Sequence, residues 1–248
     1  MPIDTNLKPT SKRSQSIKSY NERTSLPYIR LSFGMSLDGK IATYTGDSKY
    51  ISGPESRQFV HRLRHNSDAI LVGINTILID HPSLTTRLTN QVGKDAHRII
   101  LDSTCRIDPY EPLLLQTSNA RTIVVTKLNS HPQKISALRK QGILVLEIEC
   151  TSSTLPLLEV LSQLYQMGIR SILVEGGSTV HFSFIRDHLF QELYATISPL
   201  IIGGEQAKGA VGGQGFQTLN ESMKLHIKSI KHVGKDYIIH AIPDIKGE

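Results

Sequence analysis

Residues 172–179 read ILVEGGST. An apolar run ends there in an acid, two glycines and two hydroxyl side chains. With residues 170–174 (RSILV) as a strand and 179–187 as a helix, the segment is a strand–turn–helix unit. Glycine lets a backbone approach a ligand closely, and a helix N-terminus offers unbonded N–H groups and a partial positive charge. The turn is therefore a candidate pyrophosphate site. Its Gly-Gly pair is not G-x-G-x-x-G, so an ordinary turn capped by Ser178 stands beside that reading.

The flanking sequence sets the fold class. Residues 28–35 (YIRLSFGM) read as a strand, and Pro54–His65 as a helix with Ser52 as its expected cap. Residues 69–74 (AILVGI) form a continuous apolar run, as in a strand buried on both faces. Further strands are expected at 97–102 (HRIILD), 121–126 (RTIVVT) and 143–148 (ILVLEI), and helices at 132–141 and 155–167. Gly142 and Gly168 close those helices. The last third differs: 192–199, 224–232 and 236–242 are strands with no helix between them. The pattern predicts an α/β fold with a mostly parallel central sheet, helices on both faces and antiparallel C-terminal strands.

Composition narrows the function. The chain has 248 residues, 39% hydrophobic and 20% charged, as a globular protein does. Its two cysteines, Cys105 and Cys150, exclude a disulfide framework and a cysteine-rich zinc site. They fit a reducing compartment, and a cytoplasmic protein is expected. No apolar run is long enough for a transmembrane helix. Residues 1–26 are Ser/Thr/Lys-rich without a hydrophobic period, so a disordered basic tail is expected there and a single domain over 27–248. Asp4 and Glu22 argue against a transit peptide. The net charge of +6 suits phosphorylated ligands. No nucleic-acid motif accompanies it.

Other candidates are weaker alone. The loop at 203–215 (GGEQAKGAVGGQG) fails the P-loop pattern and reads as a mobile loop or structural turn. Asp38 sits in an S-L-D-G turn, with a buried acid in a pocket as the alternative reading. Arg64 and Arg87 are candidate phosphate clamps, because the guanidinium fork matches phosphate; surface charge is the alternative for each. None of the ten histidines stands in a metal-binding spacing. No residue is singled out as a nucleophile or general acid. The residues alone thus give a nucleotide- or phosphate-binding α/β domain.

Several segments in order resemble the stand-alone reductase family of riboflavin biosynthesis, which has a dihydrofolate-reductase-like fold. They are 31–40 (LSFGMSLDGK), 46–54 (GDSKYISGP), 69–87 (AILVGINTILIDHPSLTTR), 97–103 (HRIILDS), 172–179 and 198–204 (SPLIIGG). The G-x-x-T-x-x-x-D-x-P-x-L-T-x-R string from Gly73 to Arg87 is the most specific. The resemblance implies a homodimer that uses NADPH, without metal or flavin, to turn a ribosylamino group into a ribitylamino group by hydride transfer to C1′. Bacterial relatives fuse a zinc deaminase with H-x-E and P-C-x-x-C, absent here. The implied substrate is therefore the 2,5-diamino pyrimidinone phosphate.

Carried over by position, the resemblance implies cofactor contacts at Gly34, Tyr50, Thr76, Asp80, Ser103, Ile148, Gly176, Gly177, Ser178 and Thr179. Ser103 and Lys127 are expected near the 2′-phosphate. Substrate contacts are implied at Ser48, Arg64, Leu84, Arg87 and Glu175, with both arginines and Ser48 on the 5′-phosphate. Tyr50 stands where bacterial relatives have tryptophan. The rival readings are a dihydrofolate reductase proper, a non-catalytic nucleotide-binding module and a nucleic-acid binder.

Overall fold

Ala69–Gly73, the run AILVG, is buried at all five positions. A strand of this kind needs a neighbour on each edge and cover on both faces. The computed structural model, which describes residues 11–116 and 118–244, supplies both. The chain runs α1 (Ser11–Thr24), β1 (Tyr28–Ser36), α2 (Pro54–His65), β2 (Ala69–Gly73), α3 (Ile74–Asp80), β3 (His97–Leu101), β4 (Thr122–Lys127) and α4 (Pro132–Lys140). It continues through β5 (Leu144–Ile148), α5 (Leu157–Gln166), β6 (Ser171–Gly176), α6 (Ser178–Arg186), β7 (Glu192–Ser198), β8 (Leu225–Val233) and β9 (Asp236–Pro243). Among the described residues, the strands form one sheet in the order β5-β4-β3-β2-β6-β1-β7-β9-β8. Pairing is parallel from β5 to β7, and β9 and β8 add antiparallel. The α/β class and the antiparallel finish are as the sequence predicts.

Side-chain alternation divides the core. Leu71, Ile99, Ile123 and Val174 pack with Val160, Leu164 and Phe184 of α5 and α6. Ile70, Val72, Ile100 and Val124 pack with Ile77, Ile135 and Leu138 of α3 and α4 on the other face. Leu173 lies beside Ile70 in register and meets Leu63 of α2 on that same face. Burying each such side chain contributes roughly 1.5–3 kcal/mol. Helix ends follow local rules: Pro132 opens α4, and Gly142 (φ +79°) and Gly168 (φ +92°) follow α4 and α5 in the left-handed conformation.

Three details differ from the sequence expectation. First, residues 11–24, inside the segment expected to be a disordered tail, form α1. Its last turns are fixed by Asn21, whose amide donates to Leu26 O at 2.6 Å and Arg170 O at 3.1 Å, and by Tyr20, edge-on to Tyr28. Residues 1–10 of that expectation lie outside the described residues. Second, the expected strand 69–74 stops at Gly73, and Ile74 opens α3. Third, Ser52 does not cap α2. The N-cap is Gly53, whose N–H donates to Asp236 Oδ2 at 2.7 Å. Among the described residues no helix is long and apolar enough to cross a membrane.

Candidate active site

The carboxyl ends of the parallel strands share one edge, where ligands of open α/β sheets bind. At the end of β6, Gly176 has φ +133°, a conformation L side chains rarely adopt, and its peptide to Gly177 is cis. Gly177 is the N-cap of α6 and no side chain caps it, so Ser178 is not a cap. The first N–H groups of α6 therefore keep their capacity for an anion. A Cβ on Gly73 would lie 2.8 Å from Val180 Cγ2, so the end of β2 meets α6 at a distance only glycine permits. A Cβ on Gly177 would lie 3.5 Å from Thr76 Oγ1, which brings Thr76 of α3 beside the turn.

The same edge carries a buried ion pair. Arg64, from α2, donates Nε to Glu175 Oε1 at 2.7 Å and Nη2 to Glu175 Oε2 at 2.6 Å. Its Nη1 donates to Thr85 O at 2.7 Å. Both side chains are 12% exposed. Burial alone would lower the Arg64 pKa, but the adjoining Glu175 carboxylate outweighs it and raises the value. Arg87 is exposed, with Nη1 on Ser83 Oγ at 2.8 Å and Thr85 Oγ1 at 2.6 Å. Ser48 Oγ donates to Asp80 Oδ1 at 3.0 Å, joining an expected substrate residue to an expected cofactor residue. Gly34 faces Ser52, and Tyr50 (76% exposed) lies under the Arg57 guanidinium at 5.0 Å.

A family model, the RibD C-terminal domain, matches residues 27–239. The chain belongs to the RibD C-terminal domain family. It is 36% identical over 214 residues to the 2,5-diamino-6-ribosylamino-4(3H)-pyrimidinone 5′-phosphate reductase of Methanothermobacter thermautotrophicus, covering 86% of this chain and 96% of that protein. It is also 36% identical over 217 residues to riboflavin biosynthesis protein RibD of Actinobacillus pleuropneumoniae. There it covers 88% of this chain but only 57% of the relative, so the chain spans a little over half of that protein. The solved structure of Acinetobacter baumannii RibD superposes with a TM-score of 0.81 at 26% identity, over 95% of this chain and 63% of that one. The dihydrofolate-reductase-like fold expected from the sequence is that of the family.

Two implied residues of this RibD C-terminal domain have no side-chain surface to offer a ligand. Ile148 is 0% exposed and packs with Leu157 and Val160; its carbonyl accepts Leu128 N–H at 2.9 Å. Leu84 is 3% exposed, with φ +48°. Only backbone at these two positions is available. Ser103 follows β3, and its carbonyl accepts Lys127 N–H at 3.3 Å, so the ends of β3 and β4 adjoin. Among the described residues no group of three His, Cys, Asp or Glu side chains gathers as a metal site would require.

Sequence reading missed how the RibD-type loop at 83–94 is held. Gln58, His61, Arg64 and His65 lie on one helical face of α2. Gln58 Nε2 donates to Arg87 O at 3.0 Å, and Thr89 N–H donates to Gln58 Oε1 at 3.2 Å. Arg87 N–H donates to His61 Nδ1 at 3.3 Å, and Lys94 N–H to His65 Nδ1 at 2.9 Å. The signal is present in the sequence as polar residues at helical spacing. Burial, then Arg64 and Arg87, push the His61 pKa down from 6.5 to about 4. The neutral ring can accept, as the Arg87 contact requires. A depressed histidine pKa favours folding fully above 6.5, and this contribution is lost as pH falls towards 4. An NMR titration should place His61 near 4; a midpoint near 6.5 would mean the ring is not enclosed.

The S-L-D-G turn also proves to be tied down. The Asp38 carboxylate accepts Ser36 Oγ–H at 2.5 Å, Ile202 N–H at 3.1 Å and Gly203 N–H at 2.7 Å. Those bonds, the Ser36 hydroxyl foremost, hold its pKa at about 2. Asp38 is therefore a fastener between the turn after β1 and the segment after β7, and not a buried acid.

Proposed function

We propose that this chain reduces 2,5-diamino-6-ribosylamino-4(3H)-pyrimidinone 5′-phosphate to its ribitylamino product with NADPH, in riboflavin biosynthesis. The observation that carries this reading is the meeting, at the end of β6, of an uncapped helix N-terminus with the Arg64–Glu175 pair. One feature suits a pyrophosphate and the other a polar substrate. The Methanothermobacter relative, aligned almost end to end, is named for this reaction. Bound NADPH would supply the hydride, delivered to C1′ of the ring-opened sugar.

The residues fit that cofactor. Glycine at 176 and 177 leaves the backbone open to a pyrophosphate, with Thr76 beside it. Ser103 and Arg106 follow β3 and Lys127 ends β4, where the 2′-phosphate distinguishing NADPH from NADH would sit. Arg106, missed in the sequence, reaches Asn75 Oδ1 at 2.8 Å and is exposed. Tyr50 offers a flat exposed face.

On the substrate side, Arg87 and Ser48 hold the 5′-phosphate. Arg64 takes a different part from the phosphate clamp first expected. Its fork holds the Glu175 carboxylate in one orientation, so that the remaining Glu175 lone pairs accept from ribose hydroxyl or amino groups. Catalysis then rests on orienting two bound partners, which supplies several kcal/mol. Among the described residues no group stands out as general acid, and water is assigned the proton.

The active form is a homodimer in the cytoplasm, where the free thiols of Cys105 and Cys150 stay reduced. Its surface is the outer face of β8. A bulge between Ile227 and Ser229 resets the alternation, so Leu225, Ile227 and Ile230 share one side, with exposures of 42–59%. Arg87→Ala should raise the substrate KM about a hundredfold, as loss of a charged contact does, with NADPH affinity unchanged. Equal losses for both would mean that the substrate and cofactor sides are misassigned.

A further inference from the structure

The reading of residues 176–179 as the pyrophosphate turn leaves one buried titratable group beside it without a part. His181 lies in the first turn of α6 and is 2% exposed. Its Nδ1 is 3.2 Å from Ala210 O. A carbonyl only accepts, so Nδ1 carries the proton and donates. Burial lowers the ring's pKa and keeps it neutral. His181 Cε1 also lies 3.7 Å from where a Cβ on Gly176 would stand.

Ala210 belongs to the 203–215 loop, which the sequence leaves as a mobile loop or a turn. The loop is fastened at two places. On one side Asp38 holds Ile202 and Gly203, Ile41 N–H donates to Lys208 O at 2.8 Å and Ala210 N–H donates to Gly39 O at 3.1 Å. On the other, Gly212 N–H donates to Ser178 O at 3.1 Å. A Cβ on Gly212 would come within 2.7 Å of Ser178 Oγ, and one on Gly213 within 2.3 Å of Phe182 Cδ1. The glycines therefore let the loop lie directly on the first turn of α6. They do not cradle a phosphate of their own.

We propose that His181 is a positioning residue for the cofactor: its bond to Ala210 locks the 203–215 loop onto Ser178, and the lock holds the pyrophosphate turn in its receiving shape. The proposal rests on the pyrophosphate reading of that turn. Asparagine carries an amide nitrogen where the imidazole has Nδ1, whereas leucine fills the space without a donor.

The test compares His181→Leu, His181→Asn and Gly212→Ala in the full chain, with NADPH affinity by fluorescence titration, steady-state kinetics and tryptic cleavage after Lys208. His181→Leu should weaken NADPH binding about tenfold, the loss of one neutral hydrogen bond, leave kcat at saturating cofactor nearly unchanged and speed cleavage at Lys208. His181→Asn should restore both. Gly212→Ala, which lifts the loop without touching His181, should match His181→Leu and decides the matter if the leucine variant does not fold. Wild-type NADPH affinity in a folded His181→Leu or Gly212→Ala protein overturns the proposal. So does an asparagine variant no better than leucine, or a rise in substrate KM as large as the loss in NADPH affinity. Gly176→Val separates the two ideas. If it abolishes NADPH binding while His181→Leu has no effect, only the lock is wrong; if it too has no effect, the pyrophosphate reading falls and the lock with it.

Discussion

Gly176→Val should abolish NADPH binding in a protein that still folds. Two effects act together. Gly176 has φ +133°, which a β-branched residue cannot adopt without strain, so the turn must change shape. The branched methyls beyond that Cβ also have to pack against His181, whose Cε1 lies 3.7 Å from the Cβ position. A shifted turn no longer presents the first N–H groups of α6 to a pyrophosphate. Loss of two such charge-assisted bonds, each about 1.5–3 kcal/mol, weakens binding by more than a hundredfold. Titration of the folded variant with NADPH checks this. Affinity within a few-fold of wild type would remove the turn from the cofactor site.

The Arg64–Glu175 pair should give the second large effect. Either single truncation leaves a buried charge without its partner, because both side chains are 12% exposed. The expected loss of stability is about 3–5 kcal/mol for Arg64→Ala or Glu175→Ala. The double variant Arg64→Met/Glu175→Leu removes both charges and keeps the volume, so denaturant melts should show most of that stability regained. Turnover should not return, since nothing then orients an acceptor towards the substrate. A stable double variant with near-normal kcat/KM would make the pair purely structural.

Local physics in the sequence carried much of this fold. The boundaries of α2 follow from Pro54 and the break in helical pattern after His65, and the β6–α6 turn follows from apolar residues meeting two glycines. The failures have equally physical causes. In α3 the residues INTILID continue the apolar composition of β2, so composition alone does not reveal where the period changes. The first turn of α2 is fixed by Asp236, 183 positions away in the chain, and no local rule reports such a partner. Arg30 and Arg98 sit inside strands at 0% and 2% exposure, held in part by Ser67 and Thr122. A charged residue in a strand would ordinarily be read as facing water.

Within the candidate site, resemblance implies positions but not the atoms they present. Ile148 and Leu84 are implied as ligand contacts, yet their side chains belong to the core. Arg64 and Glu175 were each assigned to the substrate, and geometry adds that they hold one another. His61 and His181 were invisible as individuals among ten histidines, since only packing distinguishes an enclosed ring from a solvated one.

The central claim, reduction of a ribosylamino pyrimidinone phosphate by NADPH, is tested most directly by following NADPH absorbance at about 340 nm with fresh 2,5-diamino-6-ribosylamino-4(3H)-pyrimidinone 5′-phosphate, and weighing the product by mass spectrometry. The expected result is oxidation that requires the substrate, stops when it is exhausted and yields a product heavier by two hydrogens. Demonstrated NADPH binding with no oxidation, by this substrate or its deaminated form, would contradict the account and leave a nucleotide-binding domain of another function.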